Sequence, residues 1–111
     1  MELQNSELLR IFVGEQVRFG HHPLYEEIVR EALLQGMAGA TALKGVLSYG
    51  HEMHIHTAKV IEFGLNLPMV VELVDSPAKI DAFIPILEIL VKDSACRVMI
   101  TREQVRTGII E

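Results

Sequence analysis

Apolar residues recur along the chain with two different periods, and the switches between them outline the fold. Leu9, Ile11 and Val13 alternate with Arg10 and Phe12, so Leu8 to Gly14 predicts a strand with two distinct faces. Gly14 to His22 reads as loop. After Pro23 the spacing becomes helical: Tyr25, Ile28, Val29, Ala32 and Leu33 form one predicted buried stripe. Pro23 opens that helix, Glu26 and Glu27 suit its positive end, and Gly36 suits its exit. Gly39 to Gly50 predicts a second strand, in which Gly45 marks a bulge or a close backbone approach. Leu67 to Asp75 predicts a third. Ser76-Pro77 then starts a second helix, with Ile80, Phe83, Ile84, Leu87 and Val91 as its buried stripe. Pro85 falls inside that helix and predicts a kink or compensating packing. Ala95 to Thr101 predicts the fourth strand, and Thr101 to Glu111 a polar tail with a helical turn at Arg102–Arg106. The connection His51–Asn66 fits a mobile loop, a strand extension through Ile55–Ile61, or one helical turn.

The order β-α-β-β-α-β, with right-handed crossovers, gives a ferredoxin-like α+β sandwich. Four antiparallel strands in the order 4-1-3-2 carry two helices on one face, as a single domain over residues 1–111. The other face should be polar if it met water. Here Phe12, Val70, Val74 and Met99 point that way, with Arg10, Glu72 and Arg97 among them. Arg10 is placed to pair with Glu72 across adjacent strands. A half-covered sheet of this kind predicts self-association.

Composition sharpens that expectation. Half of the 111 residues are apolar and the mean hydropathy is +0.29, a surplus that one small core does not absorb. The richest apolar stretch, Ile80 to Val91, is interrupted by Asp81, Pro85 and Glu88 and falls short of the ~20 residues of a membrane span. The acidic, polar start Met1–Glu7 does not read as a signal peptide, and with a single cysteine the expected address is the cytoplasm. A net charge of −5 speaks against nucleic acid as partner. The one cysteine, Cys96, rules out an internal disulfide or a CxxC pair, and its place at the start of the predicted fourth strand suggests packing.

Several stretches resemble the PII-like signalling proteins. They are Gly14-Glu15, Pro23-Leu24-Tyr25-Glu26, Gly39-Ala40-Thr41, Tyr49-Gly50, Ile55-His56-Thr57-Ala58, Leu67-Pro68 through Asp75, and Ala82-Phe83-Ile84-Pro85. The likeness runs from Leu9 to Val105 and is nearest to an uncharacterised branch catalogued as a domain of unknown function, DUF190. The resemblance implies a homotrimer with effector clefts between subunits, where an adenine nucleotide (ATP, ADP or AMP) binds. It also implies a long loop after the second strand that switches conformation and contacts a regulated transporter or enzyme. Carried over, Thr41 lines the cleft, Tyr49 and Gly50 form the base of the loop, and Arg106 in Arg106-Thr107-Gly108 reaches bound phosphate. The glycine-rich, lysine-bearing loop that PII proteins place before the last strand has no counterpart in Lys92–Cys96.

The residues suggest further chemistry of their own. Lys44, Lys59, Arg102 and Arg106 are candidate phosphate partners, against a solvated role on an edge or tail. His51, His54 and His56 put three of the five histidines within six residues. Imidazoles so spaced suit a divalent transition metal, with Glu52 or a neighbouring subunit completing the site. The other readings are a polar loop and, for His56, a nucleotide contact. No nucleophile, base and orienting group come together in the sequence, so the expectation is a sensor rather than an enzyme.

Overall fold

The computed structural model describes residues 1–45, 47–49, 55–57 and 67–111. In chain order the elements are β1 (Gln4–Gly14), β2 (Arg18–Phe19), β3 (His22–Pro23), α1 (Leu24–Leu34), β4 (Gly39–Lys44), β5 (Leu47–Tyr49), β6 (Ile55–Thr57), β7 (Pro68–Asp75), α2 (Pro77–Asp93) and β8 (Met99–Thr107). The main sheet has the order β4-β7-β1-β8, antiparallel throughout. This is the predicted ferredoxin-like arrangement. No helix among the described residues is long and apolar enough to cross a membrane.

The core lies between the sheet and the helices. Leu9, Ile11 and Val13 of β1 and Met69, Val71 and Leu73 of β7 supply the sheet side. Leu24, Ile28 and Ala32 of α1 and Ile80, Phe83, Leu87 and Leu90 of α2 close over them. The α1 stripe is turned by one position from the sequence reading. Leu24 is fully buried, Tyr25 and Val29 pack at the margin, and Leu33 is 77% exposed. The cause is the start of the helix: Pro23 ends β3 and serves as the N-cap, so the first inward position is Leu24. At the other end, Gly36 (φ +71°) lets the Met37 N–H reach the Ala32 carbonyl at 3.0 Å and its own N–H reach Leu33 at 3.0 Å. This closes the helix in a Schellman turn. The Ser76 hydroxyl accepts from the Lys79 N–H at 3.3 Å to cap α2, which continues through Pro85 to Asp93.

The two outer ends of the fold depart from expectation. β1 begins at Gln4 rather than Leu8, and the last strand is Met99–Thr107 rather than Ala95–Thr101. Residues Arg102–Arg106 belong to that strand and form no helical turn. The two corrections share one cause. The mostly polar residues 4–7 and 104–107 pair with each other, from Gln4 opposite Thr107 to Glu7 opposite Gln104. Ladder hydrogen bonds satisfy their backbones, and the Ser6 and Thr107 hydroxyls bond at 2.7 Å. Ala95, assigned above to a strand, instead ends α2 in the left-handed region (φ +50°), with its N–H on the Lys92 carbonyl at 3.1 Å. Arg97 accordingly precedes β8 and is not on the sheet.

Candidate functional site

Register fixes which residues share the face of the sheet opposite the helices. Leu8, Arg10 and Phe12 of β1 stand beside Val74, Glu72 and Val70 of β7 and beside Glu103, Thr101 and Met99 of β8. Thr41 and Leu43 of β4 extend the same face past Glu72 and Val70. No element among the described residues covers it. Leu43 is 49% and Met99 51% exposed. In its middle the Arg10 Nε donates to Glu72 Oε2 at 2.8 Å, and Arg10 Nη1 donates to Glu103 Oε1. The Glu72 bond first, and the Glu103 bond second, hold the Arg10 pKa above its ordinary value. The Arg10–Glu72 pair was legible from strand alternation. Glu103 was not, because the sequence reading ended the last strand two residues before it.

A second cluster gathers where the connection 46–66 leaves the sheet and returns to it. Lys44 ends β4 opposite Met69, and its Nζ is 3.2 Å from Glu15 Oε1. The other Glu15 oxygen is buried without a partner among the described residues. The Gly45 N–H bonds the Pro68 carbonyl, and the Glu15 N–H the Leu67 carbonyl, both at 2.8 Å. Leu47–Tyr49 and Ile55–Thr57 form an antiparallel pair, with Ser48 opposite His56 and Tyr49 opposite Ile55. Gly50, His51, His54 and Lys59 lie outside the described residues. Among the described residues, no three His, Cys, Asp or Glu side chains gather to hold a metal ion.

The described site residues are not assembled within one chain. Thr41 is on β4 at one edge of the sheet, on the uncovered face. Arg106 is exposed on β8 at the other edge, opposite Asn5 and on the side of the helices. Three strand spacings and five residues of β8 separate them, roughly 20 Å. Arg102, read above as a possible phosphate partner, is occupied by Glu7 and Asp81: its Nη2 lies 2.6 Å from Glu7 Oε2 and 2.8 Å from Asp81 Oδ1. That clamp ties α2 to the sheet. Cys96 packs against the core at the foot of α2.

Open grooves flank the sheet. One, of about 670 Å³, runs along α2 past Leu87, Val91, Val98 and Ile100. Another, of about 550 Å³, is floored by Ser6, Asp75 and Thr107. Thr41, Lys44 and Arg106 line neither of them.

Comparison with known proteins places this geometry. The family model of DUF190, described as an uncharacterised ACR, matches residues 6–107. A UPF0166 protein of Aquifex aeolicus (strain VF5) is 33% identical over 84 residues, 76% of this chain and 80% of its own length. A second, from Methanocaldococcus jannaschii, is 27% identical over 89 residues, 80% and 82% of the two chains. Among solved structures, CPII, a nitrogen regulatory PII-like protein from Thiomonas intermedia bound to ADP, AMP and bicarbonate, superposes with a TM-score of 0.67. It is 10% identical, and the match covers 97% of this chain and all of that one. A putative PII-like signalling protein from Thermus thermophilus gives 0.62 at 14% identity, covering 96% and 93%. At such identities the likeness is one of fold.

Proposed function

The chain belongs to the DUF190 family, and from that premise we propose that it is a non-enzymatic PII-like regulatory protein. It acts as a cytoplasmic homotrimer. A small effector, an adenine nucleotide, binds in the clefts between neighbouring subunits. Binding switches the long connection that follows β4, and the switched connection presents a changed surface to a regulated transporter or enzyme. The coupling is the difference in nucleotide affinity between the two states of the connection.

One observation carries this reading: the apolar, uncovered sheet face with Arg10 fixed at its centre between Glu72 and Glu103. Copies of the same chain are its proposed cover. Thr41 and Arg106 lie on opposite edges of the sheet, so in a closed ring the Thr41 edge of one subunit can meet the Arg106 edge of the next. Lys44 ends β4 at that edge, and Tyr49, Gly50 and His56, from the connection that follows, are the proposed further contacts. CPII, of the same fold, is bound to ADP and AMP, and this supports the choice of effector.

Calorimetric titration with ATP, ADP and AMP tests the proposal. It predicts saturable heat with at least one of them, weakened by Thr41→Val and by Arg106→Ala. Absence of heat with all three at millimolar concentration contradicts the nucleotide reading.

A further inference from the structure

Lys44 and Glu15 reach each other across β7. Lys44 is the last residue of β4 and stands opposite Met69; Glu15 follows Gly14, which stands opposite Pro68 on the other side of β7. Two strand spacings, roughly 10 Å, lie between β4 and β1, and the side chains close that span, with Lys44 Nζ 3.2 Å from Glu15 Oε1. The pair sits where the connection leaves the sheet and returns to it. Gly45, the residue after Lys44, donates its N–H to the Pro68 carbonyl, and the Glu15 N–H bonds the Leu67 carbonyl.

This ion pair is built to exchange. Arg10 and Arg102 are each engaged by two carboxylates. Lys44 is engaged, among the described residues, by one, and the two side chains are 49% and 27% exposed. A pair so exposed is weak, worth about two- to fivefold in an equilibrium constant. A phosphate group brings up to roughly two negative charges and several acceptor oxygens to the same ammonium, and so displaces a single carboxylate. Release has a cost within the chain. The second Glu15 oxygen is buried without a partner among the described residues, so a Glu15 that loses Lys44 is left half-buried and unmatched. A ligand that takes Lys44 must meet that cost.

Resting on the nucleotide reading above, we infer that Glu15 is an intramolecular competitor for the effector's phosphate: on binding, Lys44 passes from the Glu15 carboxylate to the phosphate. The exchange takes place beside the two hydrogen bonds that fix the ends of the connection. It therefore gives the ligand a different affinity for two states of that junction, which is what coupling to the connection requires.

Calorimetric titration of the full chain with ATP, ADP and AMP tests this. With the nucleotide that binds the wild type, Glu15→Gln should bind about two- to fivefold more tightly. Glu15→Ala should do the same, and guards against a Gln amide that re-forms the bond to Lys44. Lys44→Met should bind more weakly, and in that background Glu15→Gln should bring no tightening, because no ammonium is left to release. Glu26→Gln, exposed on α1, removes the same charge elsewhere and should bind as the wild type does. Three results overturn this inference and leave the nucleotide reading standing: Glu15 variants no tighter than Glu26→Gln, a tightening that persists without Lys44, or a Lys44→Met protein that binds as the wild type does. Absence of heat from every protein overturns both.

Discussion

Gly45 and Pro68 are in contact across the mouth of the connection. The glycine N–H bonds the proline carbonyl at 2.8 Å, and a Cβ on residue 45 would lie 2.7 Å from the Pro68 Cγ. The proline ring has little freedom to withdraw, so a methyl group forces the two strand ends apart. Gly45→Ala should destabilise the fold by about 1–3 kcal/mol, the usual cost of overpacking. Urea unfolding measures it, and an unchanged midpoint would show that the two ends yield freely.

Asp75 joins three elements. Its Oδ2 accepts from the Ala38 N–H at 2.8 Å and its Oδ1 from the Ser76 N–H at 2.6 Å, with Lys79 at 3.7 Å. Burial works against its charge, but the N–H groups of Ser76 and Ala38 and the Lys79 ammonium outweigh it and hold its pKa below the ordinary value. A depressed carboxylate stabilises the fold above its unfolded pKa of about 3.9 and loses that contribution as pH falls through the folded value. Asp75→Ala should cost about 1.5–3 kcal/mol at pH 7, as expected for hydrogen bonds to a charged group. The gap between the two proteins should close as pH drops below about 4. A gap of equal size at pH 7 and pH 3 would refute the electrostatic part.

Ala95 holds φ +50° at the exit of α2, a region that L-residues other than Gly, Asn and Asp rarely enter. Ala95→Gly should therefore stabilise the fold by about 0.5–1 kcal/mol, relief of strain outweighing the added freedom of the unfolded chain. A loss of stability in thermal or urea unfolding would contradict this.

Pro85 lies within α2 and has no N–H to bond the Asp81 carbonyl one turn back. An interior proline costs a helix about 3 kcal/mol relative to alanine. Its side chain is exposed, so little packing is lost on truncation. Pro85→Ala should raise stability by about 1–3 kcal/mol, part of the gain being offset by a freer unfolded chain. A destabilised variant would mean that the ring packs in a way the helix needs.

The sheet was legible because β1 and β7 alternate strictly: Leu9, Ile11 and Val13 stand beside Leu73, Val71 and Met69 on the core face of the sheet. The ends were not, because residues 4–7 and 104–107 are polar except for Val105 and become strands only through pairing with each other. That is a long-range cause with no local signal. The α2 exit misled for a related reason: Ala95 adopts the conformation for which glycine is the usual sign. Of the candidate site, Arg10–Glu72 could be read from spacing, whereas Glu103 required the true extent of β8. The occupation of Arg102 by Glu7 and Asp81 depends on an inter-element contact that no periodicity reveals. Thr41, Lys44 and Arg106 were proposed from resemblance and residue type. Their separation in one chain shifts the question to how chains assemble.

Sedimentation equilibrium at neutral pH and micromolar concentration tests the central claim most directly. The account predicts a particle of three times the 12.4 kDa chain mass, falling apart when Phe12 or Val70 on the uncovered face is replaced by aspartate. A single-chain particle under those conditions, with the sheet face open to water, would contradict it.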